Sequence, residues 1–260
     1  MMPNLLGFDP VQIIGFVVIF ARITGLMLFA PLLGDRNIPM QAKIGMAFVL
    51  ALVFYPVVAA PKISPNPDVL EIILLLTVEV SIGALIGFAA RLLLTGVSMA
   101  GEVAGFQMGL SIANIFDPSS ESQVSLIGQI QTVFALFLLV VMDGHHLLIQ
   151  AVIASYAHIP PGELDLTRSL YDQMVKMGGA VFLTGLKIGA PLIVALMAAN
   201  FSIGLMSRSV PQVNVIVVGF PFTIALGLML LALGFPFFIE AVMVIHNQLA
   251  ETLMNLLRNG

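Results

Sequence analysis

The chain has 260 residues, 59% of them hydrophobic and only 9% charged, with a formal net charge of −4. A soluble domain carries about 25% charged residues, so the composition argues against a soluble enzyme, a nucleic-acid-binding domain or a disordered hub. The acidic balance also leaves no basic excess for phosphate contacts, and the absence of Cys removes disulfides, thiolate nucleophiles and Cys-ligated metals.

What remains is an all-α integral membrane or membrane-assembly protein. The chain has no Trp and three Tyr beside 18 Phe and 15 Met. Lipid-facing helices place Trp and Tyr at headgroup level, so their scarcity points to apolar surface that faces other protein.

No basic residue precedes the first apolar run, so no cleavable signal peptide is expected in Met1 to Asp9. Six regions hold enough mostly apolar residues for a span, at 11–33, 40–60, 69–97, 123–153, 177–206 and 211–246. Charges of both signs mix in every loop, which leaves topology open. Eight charges lie in or beside these regions: Arg22, Lys43, Glu71, Glu79, Arg91, Glu102, Lys187 and Glu240. Each costs roughly 2.5–3.5 kcal/mol at a helix centre, so they are expected to face protein or water. Glu79, Arg91, Glu102 and Lys187 are the candidates for buried or interfacial charge. They read as subunit-pairing bridges, as a proton relay, or as side chains snorkelling from segment ends. No ordered carboxylate–His series supports the relay.

Between 98 and 123 the pattern changes. Gly101, Gly105, Gly109 and Ala113 recur every four residues, which on a helix makes one small-residue face open to close backbone approach. Gly83 and Gly87 add a further such pair upstream. Asp117-Pro118 ends the helical pattern, because proline disfavours helix in the residue before it. Phe106, Met108, Ile112, Ile115 and Phe116 cluster beside this turn, either as core or as the lining of an apolar constriction.

Asp143, His145 and His146 are the one sequence cluster of metal-ligand types. Zinc sites need three or four suitably spaced ligands, and His158 and His246 are remote, so a turn at an interface is expected, with no metal and no cofactor. Neither G-x-S-x-G nor G-x-x-x-x-G-K-[ST] occurs, so catalysis has no support. After Pro160-Pro161-Gly162, Leu166, Leu170 and Met174 alternate with Arg168, Asp172 and Lys176. That pattern predicts an amphipathic helix at an interface with lipid or a neighbouring subunit. From Ser209 to Ile239 there is no charge, a length of about 46 Å as helix against a hydrocarbon core of about 30 Å. Gly-Phe-Pro-Phe occurs there twice, at 219–222 and 234–237. Pro221 and Pro236 are expected to break or bend one long helical arm.

The run GEVAGFQMGLSIANIFDP (101–118) with DGHHLLIQAVIASYAHIPPG (143–162), together with PLLGDRNIP (31–39), resembles the FliR family of the flagellar type III export apparatus. It is also similar to the SctT group of virulence secretion. The resemblance covers essentially the whole chain. It implies a structural export-gate subunit built of bent and broken helical hairpins, with residues 1–176 FliP-like and 177–260 a FliQ-like hairpin. FliP-like and FliQ-like subunits, with an FlhB-like one, are the implied partners in a closed helical pore that passes unfolded flagellar chains. The implied location is the bacterial inner membrane at the flagellar basal body, projecting toward the periplasm. An apolar plug near 106–118 is implied as well. Many relatives have Ser-Phe-Ala-x-Phe where this chain reads Ser111-Ile112-Ala113-Asn114-Ile115. Independent of any family, an apolar constriction excludes ions, and pliable Met and aliphatic side chains repack around varied cargo. The competing readings are a virulence export gate and a proton-coupled secondary transporter using Glu79 or Glu102.

Overall fold

The computed structural model describes residues 10–35, 37–58, 68–110, 125–161, 168–209 and 215–258. These form eight helices and no strand: α1 (Pro10–Phe29), α2 (Met40–Phe54), α3 (Val69–Gln107), α4 (Leu126–Val141), α5 (Gly144–His158), α6 (Arg168–Ser209), α7 (Val215–Leu233) and α8 (Phe235–Arg258). The fold is all-α. α1, α3 and α6 are each long and apolar enough to cross a membrane, and α4 with α5 and α7 with α8 pass the same test as broken pairs. Three to five spans therefore replace the six expected from sequence. The difference lies in α2, whose 15 residues reach about 22 Å, short of the hydrocarbon thickness. The amphipathic stretch expected at 166–176 is, from Arg168 onward, the start of the 42-residue α6 rather than a separate helix.

The chain forms two compact units that interleave along the sequence. The first holds residues 1–91, 143–177 and 248–260, the second 92–142 and 178–247.

In the first unit, α1 meets the early part of α3 with almost no side chain between them. A Cβ on Gly83 would fall on the Arg22 carbonyl oxygen, one on Gly25 on the Val80 carbonyl, and one on Gly87 would sit 2.7 Å from the Ala30 nitrogen. Glycine is what lets these backbones touch. Around the crossing, Ile19, Ile23, Leu26, Ile82, Ile86 and Leu148 are fully buried. α2 lies along α1 through Phe48, whose ring meets Phe16 and Phe20 edge-on at 5.4 and 6.3 Å. It buries Lys43, Ala47, Ala51 and Phe54 at helical spacing. The Lys43 ammonium donates to the Gly34 carbonyl at 3.1 Å, fastening the turn after α1.

In the second unit, the later part of α3 packs between two helices by the same small-residue device. Gly96 faces Gly185 of α6, and Gly101 faces Gly128 of α4. Ala104, Met108, Ile127, Leu192 and Leu196 form its buried centre, flanked by Ile224 and Leu230 of α7. α7 runs unbroken through Pro221, contrary to the break expected there. The proline ring conflicts only with the carbonyl four residues back, which is Val217, still in the first turn and free to tilt. The break falls instead at Gly234, where α7 and α8 meet at 60°. There the Gly234 N–H still bonds the Leu230 carbonyl at 2.8 Å and Phe238 bonds Gly234 at 3.0 Å. Pro236 sits in the first turn of α8, a position that needs no intrahelical N–H.

Candidate functional site

Arg22 is fully buried in a helix long and apolar enough to span a membrane. Its guanidinium spends all five N–H donors. Nε and Nη2 donate to the two oxygens of Glu79 at 2.7 and 3.1 Å. Nη1 donates to Ser155 Oγ at 2.8 Å, and both Nη atoms donate to the Ile159 carbonyl at 3.2 Å. The ring of Tyr156 lies under the guanidinium at 4.0 Å, and its hydroxyl donates to the Ile19 carbonyl at 3.4 Å. Glu79 is equally buried. An Arg fork, a bidentate carboxylate, a helix C-terminus and an aromatic face thus meet at one point within the first unit. The Ile159 carbonyl closes α5, where a cation also suits the helix dipole. This arrangement joins α1, α3 and α5 and engages every N–H of the guanidinium, which suits fixation.

The other candidate charges lie elsewhere. Arg91, Glu102 and Lys187 are exposed, and Glu102 accepts from Ser98 Oγ one turn before it at 3.1 Å.

The apolar cluster is divided by the structure. Met108 is fully buried against Gly227 of α7, whereas Phe106 is 71% exposed. Gly101 and Gly105 face α4 and its Ser125 cap. Gly109 adopts φ +84° and abuts the ring of Phe220, because α3 ends at Gln107 and the small residues no longer share one face beyond it. Ile112, Ala113, Ile115 and Phe116 lie outside the described residues.

Two carbonyls at the end of α3 lack an intrahelical partner, as at any helix C-terminus. Asn200 Nδ2 of α6 donates to the Gln107 oxygen at 3.1 Å, and buried Thr223 Oγ1 of α7 donates to that of Met108 at 3.1 Å. Sequence reasoning missed Ser155, Tyr156, Asn200 and Thr223. The one signal available was a hydroxyl or amide inside an otherwise apolar helix, a feature that usually marks a bond between helices.

At the start of α5, Asp143 takes the left-handed conformation at φ 57°. His146 Nδ1 pairs with its carboxylate at 3.1 Å, and the two His rings lie 4.3 Å apart. The ligand atoms of Asp143, His145 and His146 fall within 4.8 Å of one another. The carboxylate is already paired with His146, and the helix N-terminus is the positive end of its dipole, which opposes a cation. The geometry is that of a hydrogen-bonded turn.

A cavity of about 590 Å³ opens in the second unit between α4, α6, α7 and α8. Ile130, Phe134, Leu192, Leu231 and Phe238 line it with Gln131, and no titratable side chain does. Such walls can hold an apolar group but cannot move a proton.

Comparison with known proteins follows the same line. Residues 13–249 match the model for bacterial export proteins, family 1. The chain is 32% identical over 248 residues to the flagellar biosynthetic protein FliR of Bacillus subtilis (strain 168), covering 93% of this chain and 94% of that one. It is 32% identical to FliR of Escherichia coli (strain K12), covering 83% and 82%. To FliR of Caulobacter vibrioides it is 30% identical, covering 86% and 89%.

Proposed function

This chain belongs to the bacterial export proteins, family 1, and on that premise we propose that it is a non-enzymatic subunit of the flagellar protein export apparatus in the bacterial inner membrane. It assembles with FliP-like and FliQ-like subunits, and with an FlhB-like one, into a closed helical pore that passes unfolded flagellar proteins and projects toward the periplasm. The observation that carries this reading is likeness to flagellar FliR proteins along nearly the whole of both chains. The surface agrees with it. Phe182, Leu186, Val194, Met197 and Phe201 stand exposed along α6, an apolar face that needs cover from lipid or from another subunit.

Phe106 and the segment 110–118 form the seal of that pore. An apolar constriction excludes ions by dewetting, with no fixed charge to trap cargo. Co-expression tests the assembly: the chain should co-purify with its FliP-like and FliQ-like partners, and a chain that stays monomeric beside them would refute the proposal. Deleting 110–116 should leave that complex intact while the membrane becomes permeable to small ions. A secondary transporter would instead move a solute in liposomes without partners.

A further inference from the structure

Among the charges of the apolar helices, Lys187 stands apart. Arg22 and Glu79 are buried together, and Glu102 accepts from Ser98. Lys187 is exposed on α6, and among the described residues no carboxylate pairs with its ammonium. It is the single charge between Lys176 and Arg208, about 16 Å of helix from the first and about 32 Å from the second. Almost any placement of a hydrocarbon core of about 30 Å on this stretch encloses it. A four-carbon stem is too short to bring its head level with Lys176.

The backbone is polar at the same level. Pro191 lies inside α6, one turn after Lys187, and has no N–H to give the Lys187 carbonyl. An unpaired ammonium and a carbonyl without its usual helix bond thus share one turn. The side chains around them are apolar. Leu183 and Val194, on the same side at helical spacing, are 55% and 64% exposed, and Leu186 beside them is 59% exposed. Water suits the ammonium and not this apolar stripe. Lipid suits the stripe and not a cation, and it offers nothing to a backbone oxygen that lacks a hydrogen bond. A protein surface with a carboxylate set among apolar side chains suits all of it.

We propose that the face of α6 carrying Leu183, Lys187 and Val194 docks a helix of a different, neighbouring subunit, which presents an Asp or Glu to the Lys187 ammonium. This rests on the assembly given under Proposed function and adds the chemistry by which that partner is recognised. The charge gives the contact its register: an apolar stripe alone lets two helices slide, and one cation paired with one carboxylate does not.

The test uses membranes of cells producing the whole export apparatus. A membrane-permeant carbodiimide joins an amine to a touching carboxylate as an amide, with loss of water. Mass spectrometry of the treated complex should find Lys187 joined to an Asp or Glu of another subunit. A link from Lys187 to a second copy of this chain, or no link from it at all, would overturn the proposal. Lys187→Met keeps the side-chain length and suits the helix. It should lower the partner recovered per chain roughly tenfold or more, the effect of removing one charge of a buried interfacial pair. Lys187→Arg, which keeps the cation, should restore most of that recovery, which a purely packing role would not predict. If the unaltered chain co-purifies with its FliP-like and FliQ-like partners and Lys187→Met does so equally, the charged contact is wrong and the assembly stands. If the unaltered chain does not co-purify with them, the assembly reading fails and this inference fails with it.

Discussion

The polar knot of the first unit and the α3 terminus of the second solve one problem in opposite ways. Each joins three helices through groups that a membrane disfavours. At the knot, a full charge is buried and every donor of Arg22 is engaged across 57 to 137 residues of sequence. At the α3 end the groups are neutral, the bonds are single, and Thr223 has other acceptors within reach. Breaking the first takes the cation away from a buried carboxylate; breaking the second exchanges one neutral bond for another. The contrast separates a charged junction that is costly to open from a neutral one that costs little.

The largest expected effect comes from breaking the knot. Arg22→Ala removes one member of the buried Arg22–Glu79 pair, a loss that costs about 3–5 kcal/mol. The amount of folded chain in the membrane should collapse. Arg22→Lys should not rescue it, since an ammonium offers three donors and no planar fork. Normal abundance of Arg22→Ala would erase the contrast. Next, Met108→Ala should cost about 2–5 kcal/mol by opening a hole in the second unit, read as lowered thermal stability of the purified complex. Phe106→Ala, at an exposed site beside it, should leave stability within about 0.5 kcal/mol and change leak alone. Equal destabilisation by both would show that exposure here does not separate core from seal.

A smaller effect sharpens the glycine part of the comparison. Gly83→Ala forces a Cβ onto backbone, and overpacking of that kind costs about 1–3 kcal/mol. Gly178→Ala meets open space and should be neutral or stabilising by about 0.5–1 kcal/mol. Proteolysis of membranes carrying each variant distinguishes them; equal resistance would refute the close α1–α3 crossing. The smallest effect belongs to the turn. His145→Ala with His146→Ala should lower the amount of assembled complex modestly, and a chelator should change nothing. Stoichiometric zinc in the purified chain would overturn this.

The helical class and the apolar character of α1, α3 and α6 were legible from residue runs alone, because membrane helices satisfy their backbone locally. Where helices stop was harder to read. α3 runs past the apolar region's expected end at 97 but stops at Gln107, short of the Asp117-Pro118 stop expected for the helical pattern, and α6 absorbs the polar start at Arg168. Pro221 looked like a break because its motif matches that of Pro236, yet position within the helix decides the outcome, and Pro221 lies where its ring meets a forgiving first turn. The site was legible only in part. Glu79 stood out as a charge in an apolar run, but its partnership with Arg22, and theirs with Ser155 and Ile159, joins segments with no local signature in common. Thr223 was invisible for a related reason: a lone hydroxyl in a run of apolar residues gives no hint of which helix lies opposite.

The order of synthesis gives the knot a timetable. Arg22 leaves the ribosome 57 residues before Glu79 and 137 before Ile159, and at about 5–20 residues per second its last acceptor follows roughly 7–27 s later. Throughout that interval α1 carries a cation with an incomplete set of partners, which costs it roughly 2.5–3.5 kcal/mol as an independent span. α1 is thus made before α3 and α5 but is secured only once both have followed it.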